Sequence, residues 1–394
     1  MSFNFIVDSK IKGRGYPALA QWQARPYTSA WREFGCHWPF TIPLRLDEYC
    51  KTHKVPIHYV TPDEPIDTDT FYPIALDFFD FDIDYLFLLP NAIKNLLQTK
   101  KIKILFFYHE GDNPFRMRQR LDQLAVKADI DILQIKLVCS NSAADLISGC
   151  TVFHDFELWY YQRNHNAPPA SAHLNHRPYD FLCMNRLHKS WREAVMAHFY
   201  FANVLVNSRW SYCEAACELS LDDCPIELDR VPGLRSYVEQ FRRLTPKFID
   251  NLDNHARNDH SHCNLSLYET AYCNIVIESQ FDVDQSNGCF LTEKTFKALK
   301  NAQLFFVAGG PGSIENLRRL GYDVFDDWLD HSYDSILDAT DRLTALSRSI
   351  SKAQAIGLEK IYSAVSDRIL SNQQLFLNVG SRRLNMLWQK IKQL

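Results

Sequence analysis

Short apolar runs alternate with polar, helix-like stretches over the first 165 residues, and the alternation restarts near residue 179. Lys103–Tyr108 (KILFFY) is apolar on both faces over most of its length, as a central strand of a parallel sheet must be. Further strands are predicted over 55–60, 135–139 and 151–153, and a helix over 117–128. Strands and helices in alternation are typical of a parallel α/β sheet.

The second half shows the same pattern after a segment poor in large apolar residues, 166–178, which is predicted to be a linker. Strands are predicted over 179–184, 273–278 and 304–307, and helices over 191–202, 292–301 and 314–320. Beyond Asp334 the pattern is wholly helical. We therefore expect two Rossmann-like α/β domains, 1–165 and 179–335, followed by C-terminal helices over 336–394.

Composition excludes a disordered chain, because hydrophobic residues make up 46% and charged residues 23% of the 394. Lys and Arg number 43 against 47 Asp and Glu, a net charge of −4. Because positive and negative charges are nearly equal in number, the chain has no overall electrostatic field that would attract nucleic acid or an anionic membrane. Any phosphate site must therefore be local. No signal peptide or apolar stretch of about 18 residues is evident, which favours a cytoplasmic protein without a membrane span.

The 11 cysteines form no paired framework, which suits free thiols in a reducing compartment. The most suggestive group is Cys213, Cys217 and Cys224, with histidines further on. Its members lack the C-x-x-C spacing of structural zinc sites. A metal site is therefore not favoured there.

Three of the chain's 13 glycines, Gly309, Gly310 and Gly312, fall within four positions between a predicted strand and a predicted helix. Glycines there allow backbone N–H groups to approach a ligand, and a helix N-terminus favours an anion. Gly310 and Gly312 are therefore candidate ligand-binding residues. The alternative is a plain tight turn.

A second helix start lies just upstream, at Thr292-Glu293-Lys294. Thr292 is a good N-cap residue, and Glu293 complements the positive end of the helix. Lys294 in the first turn is unfavourable with the helix dipole, so it is a candidate partner for a phosphate, while Glu293 suits the paired hydroxyls of a ribose. A solvated surface lysine is the alternative.

Two arginines follow the strand predicted over 179–184. Arg186 lies in the turn after it, and Arg192 lies in the first turn of the next helix. Arginine binds phosphate in a bidentate manner, so two within reach of each other are able to hold a diphosphate without a metal ion. Surface ion pairs are the alternative.

Together these features resemble the donor-binding signature of the alpha-1,3-fucosyltransferases and related GT-B glycosyltransferases. The shared pattern is a strand ending in a glutamate (IVIE, to Glu278), then FLTEK (290–294), a helix, and an apolar strand leading to GPGS (310–313). The resemblance implies that Glu293 contacts the ribose, that Lys294 and Arg192 contact the diphosphate, and that Glu278 stabilises the donor cleft.

The resemblance also implies a general base on a loop after a strand of the first domain. Glu110, directly after KILFFY and His109, best matches that position. The sequence His109-Glu110-Gly111-Asp112 departs from the family pattern there. His109 and Asp112 therefore stay open as alternatives for the base.

The implied function is metal-independent, inverting transfer of a sugar from a nucleotide-sugar, with a GDP-sugar favoured, to a hydroxyl of a glycan or other acceptor. No other cofactor is implied. One alternative is a metal-dependent transferase using Asp282 and Asp284 as a D-x-D motif. A non-catalytic binding or assembly module on the same fold is another. Phosphoryl transfer is disfavoured, since the chain has no G-x-x-x-x-G-K-[ST] motif.

Overall fold

The computed structural model divides into two compact units. Unit 1 comprises Met1–Leu158 and Val379–Leu394, and unit 2 comprises Trp159–Asn378. The structure describes residues 3–6, 49–66, 69–76, 86, 89–108, 110–170, 176–213, 224–249, 262–281 and 288–394.

The described strands, numbered in chain order, are β1 Phe3–Ile6, β2 Ile57–Val60, β3 Phe71–Leu76, β4 Lys103–Tyr108, β5 Ile135–Cys139, β6 Cys150–Val152, β7 Tyr179–Asn185, β8 Ser208–Tyr212, β9 Ala271–Ile277 and β10 Leu304–Ala308. The described α-helices are α1 Asn91–Gln98, α2 Pro114–Lys127, α3 Asp155–Asn164, α4 Ser190–Phe201, α5 Leu234–Arg242, α6 Leu265–Glu269, α7 Glu293–Lys300, α8 Ser313–Leu320, α9 Ala339–Ile356, α10 Leu358–Ala364, α11 Ser366–Leu377 and α12 Gly380–Gln393. In that part of the chain no helix is both long and apolar enough to cross a membrane.

Unit 1 is built on a parallel sheet in the order β2-β1-β3-β4-β5-β6. The predicted central strand is confirmed as β4, and Ile104, Phe106 and Tyr108 are fully buried in the core. Helix α2 follows it, and its first turn is capped by Asn113, whose side chain accepts hydrogen bonds from the N–H groups of Phe115 and Arg116.

Unit 2 is built on a second parallel sheet in the order β10-β9-β7-β8. All residues of β9 and β10 are buried. The prediction of an α/β protein with two parallel sheets is therefore confirmed. Strand β8 was not predicted, because its sequence SRWSY is too polar to form an apolar run.

The segment predicted as a linker is fixed to unit 2 on both sides of residues 171–175, which lie outside the described residues. Ala170 is buried, and its N–H donates to Oδ1 of Asn301 at 3.0 Å. Arg177 is also buried, and its Nη1 donates to the carbonyl oxygens of Tyr268 and Ala271 at 2.9 and 2.7 Å.

The wholly helical pattern predicted beyond Asp334 is confirmed by α9 to α12. The last of these, α12, belongs to unit 1. Within that unit a buried ion pair joins it to α3, because Nε and Nη2 of Arg383 donate to the carboxylate of Glu157 at 2.6 and 2.8 Å. Trp388 of the same helix is buried and packs edge-on against Phe71.

Candidate functional site

The order of strands in unit 2 places a crevice at the carboxyl ends of β7 and β9. These two strands are neighbours, but β7 connects to β8 on one side and β9 to β10 on the other. Parallel α/β sheets bind ligands where the strand order reverses in this way. A cavity of about 230 Å³ lies there, lined by residues that follow β7, β8 and β9 and by α7.

The lining of this cavity is strongly cationic. Among the described residues, five Lys or Arg side chains and one carboxylate, that of Glu293, line it. The cations are Arg186, Lys189, Arg192, Lys294 and Lys297. The whole chain carries a net charge of −4, so this positive charge is a local feature, as the sequence predicts for any phosphate site.

Arg192 is the most deeply buried of these cations. It is 4% exposed, and its guanidinium donates from Nη2 to the carbonyl oxygen of Glu278 at 2.9 Å and from Nη1 to that of Leu187 at 3.2 Å. Its Nε is buried and has no hydrogen-bond partner among the described residues. Burial lowers the pKa of the guanidinium. An anion is the ligand that would both satisfy Nε and offset this desolvation.

Lys294 is held at the N-terminus of α7. Its Nζ donates to Oγ of Ser279 and Oγ1 of Thr292, both at 3.0 Å, and lies 3.5 Å from a carboxylate oxygen of Glu293. The predicted pair of Glu293 and Lys294 therefore lies together on the cavity wall. Arg186, in the turn after β7, also lines the cavity.

Glu278 and Thr292 hold the N-terminus of α7 in place through hydrogen bonds. The carboxylate of Glu278 is fully buried and accepts hydrogen bonds from the N–H and Oγ1 of Thr292, at 3.0 and 2.6 Å, and from Oγ1 of Thr295 at 2.5 Å. Thr292 is the N-cap of α7, as predicted. Neither residue lines the cavity. The resemblance implies that Glu278 stabilises the donor cleft, and its hydrogen bonds to Thr292 and Thr295 hold the helix end that carries Glu293 and Lys294.

The glycine turn after β10 is held by contacts within the chain. Gly310 and Gly312 do not line the cavity. The N–H groups of Ile314 and Glu315, at the start of α8, donate to the carboxylate of Asp334 at 2.9 and 3.0 Å. Gly312 adopts φ 81°, a conformation that favours glycine, and its N–H donates to the carbonyl oxygen of Asp334 at 2.8 Å. The anion at this helix terminus is therefore the chain's own carboxylate.

Two cavity cations, Lys189 and Lys297, were not predicted. Lys189 precedes α4, and its Nζ donates to the carbonyl oxygen of Ser279 at 2.8 Å. Lys297 lies four residues after Glu293, one helical turn along, and this spacing was the signal in the sequence that it shares a face with Glu293.

The candidate base lies in unit 1, in the loop after β4. Glu110 is half-buried, and its carbonyl oxygen accepts a hydrogen bond from the N–H of Ser140 at 3.4 Å. A second hydrogen bond holds the loop, because Nδ2 of Asn141 donates to the carbonyl oxygen of Gly111 at 2.9 Å. The carboxylate of Asp112 accepts a short hydrogen bond from the hydroxyl of the buried Tyr108. His109 lies outside the described residues.

The metal alternatives fall largely outside the described residues. Asp282, Asp284 and Cys217 are among the residues not described, while Cys213 and Cys224 are free thiols. Within the described ranges no three His, Cys, Asp or Glu side chains are grouped as a metal site.

No protein-family model matches the chain, and no curated protein matches it. Among solved structures it is similar to a DNA-modifying beta-glucosyltransferase, determined in the presence and absence of uridine diphosphoglucose, with a TM-score of 0.40 and 10% identity over 100% of both chains. An alpha1,3-fucosyltransferase gives a TM-score of 0.35 and 8% identity over 95% of this chain and 90% of that one. AviGT4, a glycosyltransferase involved in avilamycin A biosynthesis, gives 0.32 and 13% over 86% and 89%. All three similarities are remote.

Proposed function

We propose that the protein is a glycosyltransferase that binds a nucleotide-sugar in the cavity of unit 2 and transfers the sugar to an acceptor hydroxyl. The observation that carries the proposal is Arg192, whose buried Nε has no partner within the described part of the chain, in a cavity that the same residues line with five cations and one carboxylate. A diphosphate fits this charge pattern, and Glu293 beside Lys294 supplies the acceptor that ribose hydroxyls require.

In this proposal the negative charge that develops on the leaving diphosphate is stabilised by Arg192, Lys294 and the cations around them. These side chains are held in place before the ligand binds, because Nη2 of Arg192 is bonded to the main chain and Nζ of Lys294 is bonded to two hydroxyl groups. The cations thus supply the stabilisation that a divalent ion gives in other transferases, which supports a metal-independent reaction.

The donor is proposed to be a GDP-sugar, and the reaction to invert the anomeric carbon. Both rest on the likeness of the sequence around FLTEK to the fucosyltransferase signature. The acceptor is proposed to be a glycan or another hydroxyl compound.

Release of nucleoside diphosphate tests the proposal. The protein is incubated with GDP-, UDP-, dTDP- and ADP-sugars, with EDTA or with Mg²⁺, and the released diphosphate is quantified. We expect release from one donor class in EDTA, and a fall of at least about 100-fold in Arg192→Met, since a buried charge-assisted contact is worth about 3 kcal/mol. The matched control is Arg243→Met, an exposed arginine at the end of α5.

The same assay distinguishes the alternatives. Release that requires Mg²⁺ supports the metal-dependent reaction. A nucleotide that binds tightly and is never turned over supports the binding module. Release that is unchanged in Arg192→Met contradicts the proposed site.

Glu110 is the proposed general base. Its role predicts that Glu110→Gln lowers sugar transfer by about 100-fold or more, the usual contribution of a general base, and leaves nucleotide affinity unchanged. Asp112→Asn is the matched variant, since the Asp112 carboxylate is bonded to Tyr108. A larger loss of transfer in Asp112→Asn than in Glu110→Gln would move the role to Asp112.

A further inference from the structure

The same cavity continues along one face of the sheet, away from the strand ends. We call this the inner part, and it is lined by Met184, Cys263, Tyr268 and Asn274. Asn274 is the fourth residue of β9 and lies three residues before its end at Ile277. At ~3.3 Å per residue this places Asn274 about 10 Å along the strand from its carboxyl end. The four residues of the inner part carry uncharged side chains, and Asn274 is the amide among them.

The side-chain amide of Gln303 has a fixed orientation beside this inner part. Gln303 is 2% exposed, and its Nε2 donates to the carbonyl oxygens of Tyr268 and Ala271, both at 3.1 Å. These two bonds use both of its hydrogens, and a rotated amide would set its oxygen against two carbonyl oxygens. Oε1 of Gln303 is therefore constrained to face Asn274.

This constraint fixes the amide of Asn274 in turn. Its Nδ2 donates to Oε1 of Gln303 at 2.9 Å, so its Oδ1 is the atom left for another partner. Asn274 is 5% exposed and lines the cavity, and among the described residues its Oδ1 accepts no hydrogen bond. A buried amide oxygen in this situation is complementary to an N–H or O–H donor of a ligand.

Asn274 is also unusual for its place in the sequence. It is the one polar residue in a seven-residue strand that is otherwise apolar or aromatic (AYCNIVI) and entirely buried. A buried parallel strand favours apolar residues at every position, so the side-chain amide has a cost unless it is satisfied. The bond to Gln303 satisfies its donor group, and a ligand would satisfy its acceptor.

We infer that Asn274 binds the base of the bound nucleotide, by accepting a hydrogen bond from an N–H group at the polar edge of the base. The inference rests on the proposed function, since a nucleoside reaches the inner part only if its diphosphate lies among the cations. Every nucleobase carries such a donor at its polar edge, either a ring N–H or an exocyclic amino group. Pyrophosphate carries none.

Titration calorimetry separates this role from phosphate binding. Pyrophosphate, GDP, UDP, ADP and CDP are titrated into the full chain as wild type, Asn274→Ala and Asn316→Ala. The last is a matched control, a buried asparagine that does not line the cavity. For the tightest nucleotide we expect about a tenfold loss of affinity in Asn274→Ala alone, with pyrophosphate affinity unchanged in all three proteins.

A second measurement needs no variant. The tightest nucleotide is compared, on the wild type, with its analogue in which the donor nitrogens of the base edge are methylated. We expect the analogue to bind about tenfold more weakly. Equal binding of the two, or full nucleotide affinity in Asn274→Ala, overturns the inference and leaves the proposed function standing. If no diphosphate binds at all, the proposed function falls and this inference falls with it.

Discussion

Two helices of unit 2 begin in the same way and differ in their surroundings. The start of α7 is held by the buried carboxylate of Glu278, and the start of α8 is held by the buried carboxylate of Asp334. At α7 the next residues, Glu293 and Lys294, lie on a cavity with four further cations. At α8 neither the glycine turn nor the first helical residues line that cavity.

The comparison of these two helix starts indicates which feature of the sequence points to the candidate site. Many structural turns have a glycine before a helix. The positive end of the helix dipole is then offset by a single carboxylate of the chain itself. Five cations line one cavity at α7, and such a concentration of positive charge favours an anionic ligand. The cations, rather than the helix termini, distinguish the α7 site from the α8 turn.

The largest effect is expected from Glu278→Ala. The variant removes a carboxylate that accepts hydrogen bonds from the N–H groups of Ser279 and Thr292 and from two threonine hydroxyls. Buried donors without a partner are costly, and we expect the free energy of unfolding to fall by about 4 kcal/mol. Urea denaturation measures this loss. Glu278→Gln, which keeps an acceptor, is expected to lose less, and an equal loss in both variants would contradict the account.

A smaller effect is expected from Asp334→Ala. It leaves the N–H groups of Ile314 and Glu315 unpaired, and we expect a loss of about 2 kcal/mol in unfolding free energy. Nucleotide affinity of the folded protein is expected to stay at the wild-type value, because this turn does not line the cavity. Weakened nucleotide binding in the folded variant would restore the glycine turn as a ligand site.

The smallest effect is a pH dependence at α8. Burial raises the pKa of Asp334 above its ordinary value of 3.8. For an acid whose pKa is higher in the folded state, the stabilising contribution is full below the unfolded-state pKa and is lost as pH rises through the folded-state pKa. The unfolding free energy of the wild type relative to Asp334→Asn should therefore fall as pH increases from about 4. If the unfolding free energy of the wild type relative to Asp334→Asn rose with pH, the folded state would favour the ionised carboxylate, contrary to this prediction.

The fold was largely predictable because buried parallel strands leave a strong local signal. KILFFY and the last strand, LFFVA, are continuous apolar runs, and each is a fully parallel-paired strand of its sheet. Strand β8 (SRWSY) lacks such a run, although β10, the other edge strand of the same sheet, has one. The sequence alone therefore indicated the class of fold but not every strand.

The site was predictable only in part, because it is formed by strand order. Arg186, Arg192, Glu293 and Lys294 were predicted, and they converge because β7 and β9 are neighbours. Lys189 and Lys297 each resemble a solvated lysine when considered alone. The role of Asp334 depends on a contact across about 20 residues of chain, which a local pattern does not reveal.

The most direct test of the central claim is the binding of nucleoside diphosphates without metal. Thermal unfolding is followed with GDP, UDP, ADP, CDP and dTDP in EDTA, for wild type, Lys294→Ala and the control Lys360→Ala, an exposed lysine on α10. At about 100 times its dissociation constant, a ligand should stabilise the wild type and the control by ~2.7 kcal/mol, and Lys294→Ala should lose most of this. A shift of equal size in Lys294→Ala, or no shift with any nucleotide, would contradict the claim that the α7 cavity is a diphosphate site.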